Sequence, residues 1–122
     1  NTTASNSVAV GANTLKANTT GQNNTAIGHD VLLSNTTASS NTSVGQGSLR
    51  QNTTGSSNAA CGKGALNSST TASNCTAMGH DVLVAVTTGD DNTGCGRAAG
   101  AGLTTGSNNT FLGTIMLILA LG

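Results

Sequence analysis

A glycine returns every 17 residues along this 122-residue chain, at Gly11, Gly28, Gly45, Gly62, Gly79, Gly96 and Gly113, and nothing interrupts the count. An apolar residue precedes each one: Val10, Ile27, Val44, Cys61, Met78, Cys95 and Leu112. Thr-Thr keeps the same beat, from Thr2-Thr3 through Thr19-Thr20 to Thr104-Thr105. A fixed period marks a stack of similar units, each of which buries its apolar surface only against its neighbours. Cutting before each Thr-Thr gives seven units, of which TTGQNNTAIGHDVLLSN, residues 19–35, is the most regular.

Residue chemistry then selects the kind of unit. Helical repeats need longer units made of helix formers, whereas these are punctuated by Gly and Asn and carry β-branched residues at their centres. Each unit therefore reads as one coil of an all-β, parallel β-solenoid spanning residues 1–113. Residues 114–122 form a separate apolar segment, read as a cap or a junction; its run Ile115 to Leu121 is far short of the roughly 20 residues of a membrane span.

Within a coil, the stretch Asn24 to Ile27 reads as a strand, so Thr25 and Ile27 face one side and Asn24 and Ala26 the other. The more apolar row, Val10, Ile27, Val44, Cys61, Met78, Cys95 and Leu112, is expected to point inward. A second inward row follows five residues later at Leu15, Leu32, Leu49, Leu66, Leu83 and Leu117, with Gly100 as a defect that loosens the sixth coil. On this register Ala9, Ala26, Ser43, Ala60, Ala77 and Gly94 point outward, and their uniform smallness implies a backbone packed against them; Phe111 breaks the row. The glycine after the strand serves a turn that needs positive φ or close backbone approach. Ile27→Asp is expected to unfold such a rod, because it sets a charge in the core.

Four basic and four acidic residues give zero net charge, and Phe111 is the one aromatic residue, which excludes a nucleic-acid interface built on a basic stripe. The chain has no Glu, no Ser-His-Asp arrangement and no phosphate loop, so it reads as a non-enzyme with no cofactor and no metal. Cys61 and Cys95 fill an apolar slot of the repeat and read as small buried hydrophobes. His29-Asp30 and His80-Asp81 recur just after the turn glycine, three coils apart, and read as solvated turn residues. Asn18, Asn35 and Asn52 open Asn-x-Thr triplets, which are glycan acceptors in a eukaryotic setting and amide ladders along the stack otherwise. An ice-binding face would need several outward Thr files; the Thr-Thr pairs supply one.

The units resemble the head repeats of trimeric autotransporter adhesins, through Asn6-Ser7-Val8-Ala9-Val10-Gly11 and Asn24-Thr25-Ala26-Ile27-Gly28, and the similar NNTAIG arrays of phage tail-fibre proteins. That resemblance covers nearly all of residues 1–113 and implies a left-handed parallel β-roll with three chains packed side by side. It further implies an extracellular location, on a cell-surface fibre or a virion, and a structural or adhesive role towards a host-surface receptor or matrix. The 17-residue coil is longer than is usual in adhesin heads, and no coiled-coil stalk follows. End-to-end stacking of identical rods into a filament is the alternative.

Overall fold

The structure, a computed structural model, describes residues 3–114. It is an all-β parallel solenoid with one short strand per coil: β1 (Val8–Val10), β2 (Thr25–Ile27), β3 (Thr42–Val44), β4 (Ala59–Cys61), β5 (Thr76–Met78), β6 (Thr93–Cys95) and β7 (Thr110–Leu112). The seven strands pair in sequence order, every neighbour parallel. The register is one full period, with Thr25 beside Thr42 and Ile27 beside Val44. The run Ile115 to Leu121 and Leu117 of the leucine row lie outside the described residues.

The strands are three residues long because the backbone turns sharply on both sides of them. In the second coil φ is positive at Asn23 (57°), Gly28 (137°), Asp30 (59°) and Leu32 (48°), and the other coils repeat the pattern. Asn and Asp visit this region at low cost, but Leu does not. A branched side chain held there stores about 1–3 kcal/mol. The burial of Leu32, Leu49, Leu66 and Leu83, all at 0% exposure, offsets that strain with about 1.5–3 kcal/mol each. Glycine is required after the strand for a different reason: a Cβ on Gly11 or Gly62 would run into the carbonyl oxygen of the equivalent glycine one coil on.

The core lies between the leucine row and the row expected to face outward. Ala26, Ser43, Ala60 and Ala77 are 0–2% exposed and point into the coil, with Val31, Ala65, Val82 and Ala99 packed beside them. Their strand neighbours point out: Val10 is 55% exposed, Ile27 40%, Met78 44% and Leu112 65%, Val44 is intermediate, and Cys61 and Cys95 are exposed. The expected inward row is thus reversed. A coil this short is narrow, and the leucine from the far wall fills it. At Gly94 even a methyl group would lie 2.5 Å from Val82 Cγ1 and 3.1 Å from Leu83 Cγ. Small residues in that row do mark a close approach, but the approach occurs inside the coil.

The leucine row is interrupted at Gly100, and the structure repairs it. Phe111, 6% exposed, sits where the other coils carry a small residue, and a Cβ on Gly100 would lie 2.6 Å from Phe111 Cδ2 and 2.7 Å from Leu83 Cδ2. The ring thus occupies space vacated by the missing leucine, and the sixth coil is filled where a loosened one was expected. Phe111→Ala should destabilise the rod by about 3–5 kcal/mol, since it removes that ring from a site that cannot collapse. Adding Gly100→Leu to Phe111→Ala restores the pattern of the other coils and should recover much of the loss in a denaturant titration.

Candidate functional site

Two asparagine files line the coil and fix what its polar surface can do. In the first, Asn35 Nδ2 donates to Asn18 Oδ1 (2.9 Å) and Asn52 Nδ2 to Asn35 Oδ1 (3.0 Å). Each amide also donates to the carbonyl three residues ahead, at Gly21, Ala38 and Gly55. All three asparagines are 0% exposed, so they are ladder residues and cannot accept a glycan. The ladder ends at Ser69, whose shorter side chain does not reach back, and Asn52 Oδ1 and Ser69 Oγ are buried without partners. Beyond it the file turns apolar at Val86 and Leu103.

The second file precedes the strands. Asn24 Oδ1 accepts from the Asn41 N–H, Asn41 Oδ1 from Asn58, and Asn58 Oδ1 from Cys75, each bond spanning one coil. Cys75, 1% exposed, takes an asparagine's place there and turns its thiol to the Gly89 carbonyl. Burial pushes the Cys75 thiol up, away from the reactive thiolate. Threonines add a third file, with Thr36 Oγ1 donating to Thr53 O and Thr53 Oγ1 to Thr70 O. The second Thr of each pair, from Thr20 to Thr105, forms a single exposed file.

The two His-Asp pairs stay apart. His29 Nδ1 lies 3.5 Å from Asp30 Oδ2, and His80 Nδ1 lies 3.3 Å from Asp81 Oδ2, both at exposed turns. Asp30 also accepts from Asn13 Nδ2 at 3.0 Å and faces Arg50 Nε at 3.5 Å, so it ties together the first three coils. The Asn13 hydrogen bond, with His29 and Arg50 nearby, holds the Asp30 carboxyl below its ordinary value. Among the described residues no group of three His, Cys, Asp or Glu side chains could hold a metal ion, and no helix is long and apolar enough to cross a membrane.

What remains is the outward strand face. Each three-residue strand turns its first and last side chains outward, such as Thr25 and Ile27 in the second coil and Thr93 and Cys95 in the sixth. Stacked in register, the last residues make the unbroken apolar file Val10, Ile27, Val44, Cys61, Met78, Cys95, Leu112. It runs roughly 29 Å along the rod, at the spacing of paired strands. Thr25, Thr42, Thr76, Thr93 and Thr110, two residues earlier on the same strands, stand beside it on the outward face. The sequence picked out these seven residues but put them on the wrong side; the cue was the exclusive smallness of their neighbours.

Asp30 yields a test with a definite sign. A carboxyl whose pKa is lowered by folding stabilises the fold above its unfolded value, about 3.9, and loses that contribution as pH falls through the folded value. The melting temperatures of the wild type and Asp30→Asn should therefore differ at pH 5, and the difference should shrink as pH falls from about 4 through the folded value. Compared with known protein families, curated proteins and solved structures, the chain matches none of them.

Proposed function

We propose that this chain is a structural and adhesive segment of an extracellular fibre, assembled from copies that pack side by side along their outward strand faces. The observation that carries the reading is the apolar file. Scattered exposed hydrophobes are ordinary, but a continuous line of them rimmed by polar residues marks a surface that another protein covers. Val10, Ile27, Met78 and Leu112 are all 40% exposed or more in a single line along the rod. Water alone would not favour that choice over polar side chains such as those of the exposed file from Thr20 to Thr105.

A second copy is the simplest occupant, because the face is regular and of constant period. Closed assembly about an axis parallel to the rod would bring all seven rungs into contact at once. A trimer, the arrangement implied by the resemblance to adhesin heads and tail fibres, puts three apolar files around one axis and leaves the Thr file and the charged turns outside. In such a fibre the exposed turns would face a host-surface receptor or matrix. The competing end-to-end arrangement rests on β1 and β7, each of which pairs on one side only among the described residues.

Light scattering on the purified chain tests this, with Ile27→Asp/Met78→Asp alongside it. The expected wild-type mass is that of three chains, and the double variant should run as one chain while keeping a cooperative melt. This reverses the outcome read from sequence for Ile27→Asp; the unfolding change is now Ala26→Asp, at a position with 0% exposure. A single-chain mass for the wild type would overturn side-by-side packing, and long filaments would favour end-to-end addition.

A further inference from the structure

Each amide of the first asparagine file serves two acceptors at once. Asn35 Nδ2 donates to Asn18 Oδ1 in the coil behind and to Ala38 O three residues ahead, and Asn52 Nδ2 does the same towards Asn35 Oδ1 and Gly55 O. The next residue of the file is Ser69, which has no amide to give. Asn52 Oδ1 and Ser69 Oγ are the buried side-chain nitrogen or oxygen atoms left without a hydrogen bond among the described residues. The carbonyl three residues beyond Ser69 shows the same loss. Ala38 O accepts from Asn24 and Asn35, and Gly55 O from Asn41 and Asn52, whereas Ala72 O accepts from Asn58 and the second of these donors is missing.

The coil does not close around the shorter side chain. The Ser69 N–H donates to Leu66 O at 3.1 Å, as those of Asn35 and Asn52 donate to Leu32 O and Leu49 O at 3.2 Å, so the backbone holds the serine where it holds the asparagines. The acceptors keep their places as well. A Cβ built on Gly21 would strike Ala38 O and Asn18 Oδ1, with Asn35 Nδ2 3.0 Å away. One built on Gly55 would likewise strike Ala72 O and Asn52 Oδ1, but its third neighbour is the Ala72 carbonyl carbon instead of an amide nitrogen. Two acceptors thus converge on a point that an amide nitrogen fills two coils earlier. The point is sealed, because Asn52, Ser69, Ala72 and Val86, the next member of the file, are all 0% exposed.

Whatever sits there must donate to Asn52 Oδ1 and to Ala72 O and accept from the Ser69 hydroxyl. Two donors and an acceptor on a single heavy atom is the bonding capacity of water, and three hydrogen bonds is the usual number for a buried one. A cation would satisfy the oxygens, but the buried polar side chains among the described residues are all Asn or Ser, so its charge would have no partner. Left bare, each of the three groups would keep the full cost of its desolvation, whereas holding one water costs only part of that water's freedom. We propose that the step from Asn52 to Ser69 is a binding site for one internal water molecule, which stands in for the amide nitrogen the repeat supplies elsewhere. The site lies within a single chain and does not depend on how copies associate.

Crystal structures of the wild type and of Ser69→Asn test this directly. The wild type should show one water about 3 Å from each of Asn52 Oδ1, Ser69 Oγ and Ala72 O, and the variant should show its new amide nitrogen at that point with the water gone. Ordered Asn52 and Ser69 side chains with no density between them would overturn the proposal, as would a water that persists beside the new amide. In solution, nuclear Overhauser contacts between long-lived water and the Ser69 β protons are expected in the wild type, and their absence would count against the site. Thermal melts add a third reading. Direct hydrogen bonds that replace water-mediated ones should move the melting temperature of Ser69→Asn by only a few degrees, roughly the effect of a small net gain. A rise of about ten degrees or more would mean that the oxygens are bare in the wild type, and would overturn the water.

Discussion

The width of the coil governs the rest of the structure. A turn of 17 residues folded at four positive-φ positions encloses space for one leucine per level and little more. The strand opposite that leucine can therefore carry only a methyl, a hydroxymethyl or a hydrogen inward, and Ala26, Ser43, Ala60, Ala77 and Gly94 follow from this. Because strand side chains alternate, filling the inside with small residues leaves the outside as the one place for bulk. The exposed apolar file is thus a geometric counterpart of the narrow core, though nothing in the core requires it to be apolar. Thr or Gln would serve there equally well for folding, which is why its hydrophobicity points to contact beyond the single chain.

The same narrowness explains how so polar a chain stays ordered. Hydrophobic burial per coil is small, and much of the inner wall is polar, so stability depends on every buried amide finding a partner one coil away. The first asparagine file does this by translation, since an amide that donates backwards and accepts from ahead is satisfied by an identical copy of itself, and the second does it by taking the next coil's backbone N–H and giving Nδ2–H to a carbonyl ahead. The device fails only where the copy changes. At Ser69 the ladder loses its reach and leaves Asn52 Oδ1 and Ser69 Oγ unpaired, and from Val86 onward the file becomes apolar. The rod therefore has a polar-lined first half and a more apolar second half, joined at the fourth coil.

Much of this was legible in the sequence, and the part that was not has a physical reason. The period fixes the number of coils, the parallel register and the position of each strand, because a constant repeat admits a single in-register stack. The leucine row was readable for the same reason, and its buried members lie in the core. Which side of the strand faces inward was not, since alternation offers two rows and hydrophobicity alone chooses Ile27 over Ala26. Volume decides against that choice, and volume depends on the far wall of the coil. The repair of Gly100 by Phe111 escaped for a related reason: the two residues are 11 apart in sequence and become neighbours only across the step between coils. The buried asparagines could have been separated from glycan acceptors by spacing, because acceptors stacked every 4.8 Å or so leave no room for sugars.

Separating fold from assembly in this way has a consequence for how such a chain can vary. Inward positions are bound by the width of the coil, and a change there must be matched by another, as Phe111 matches Gly100. Outward positions face no such limit, so charge can be placed on a rung without cost to the stack.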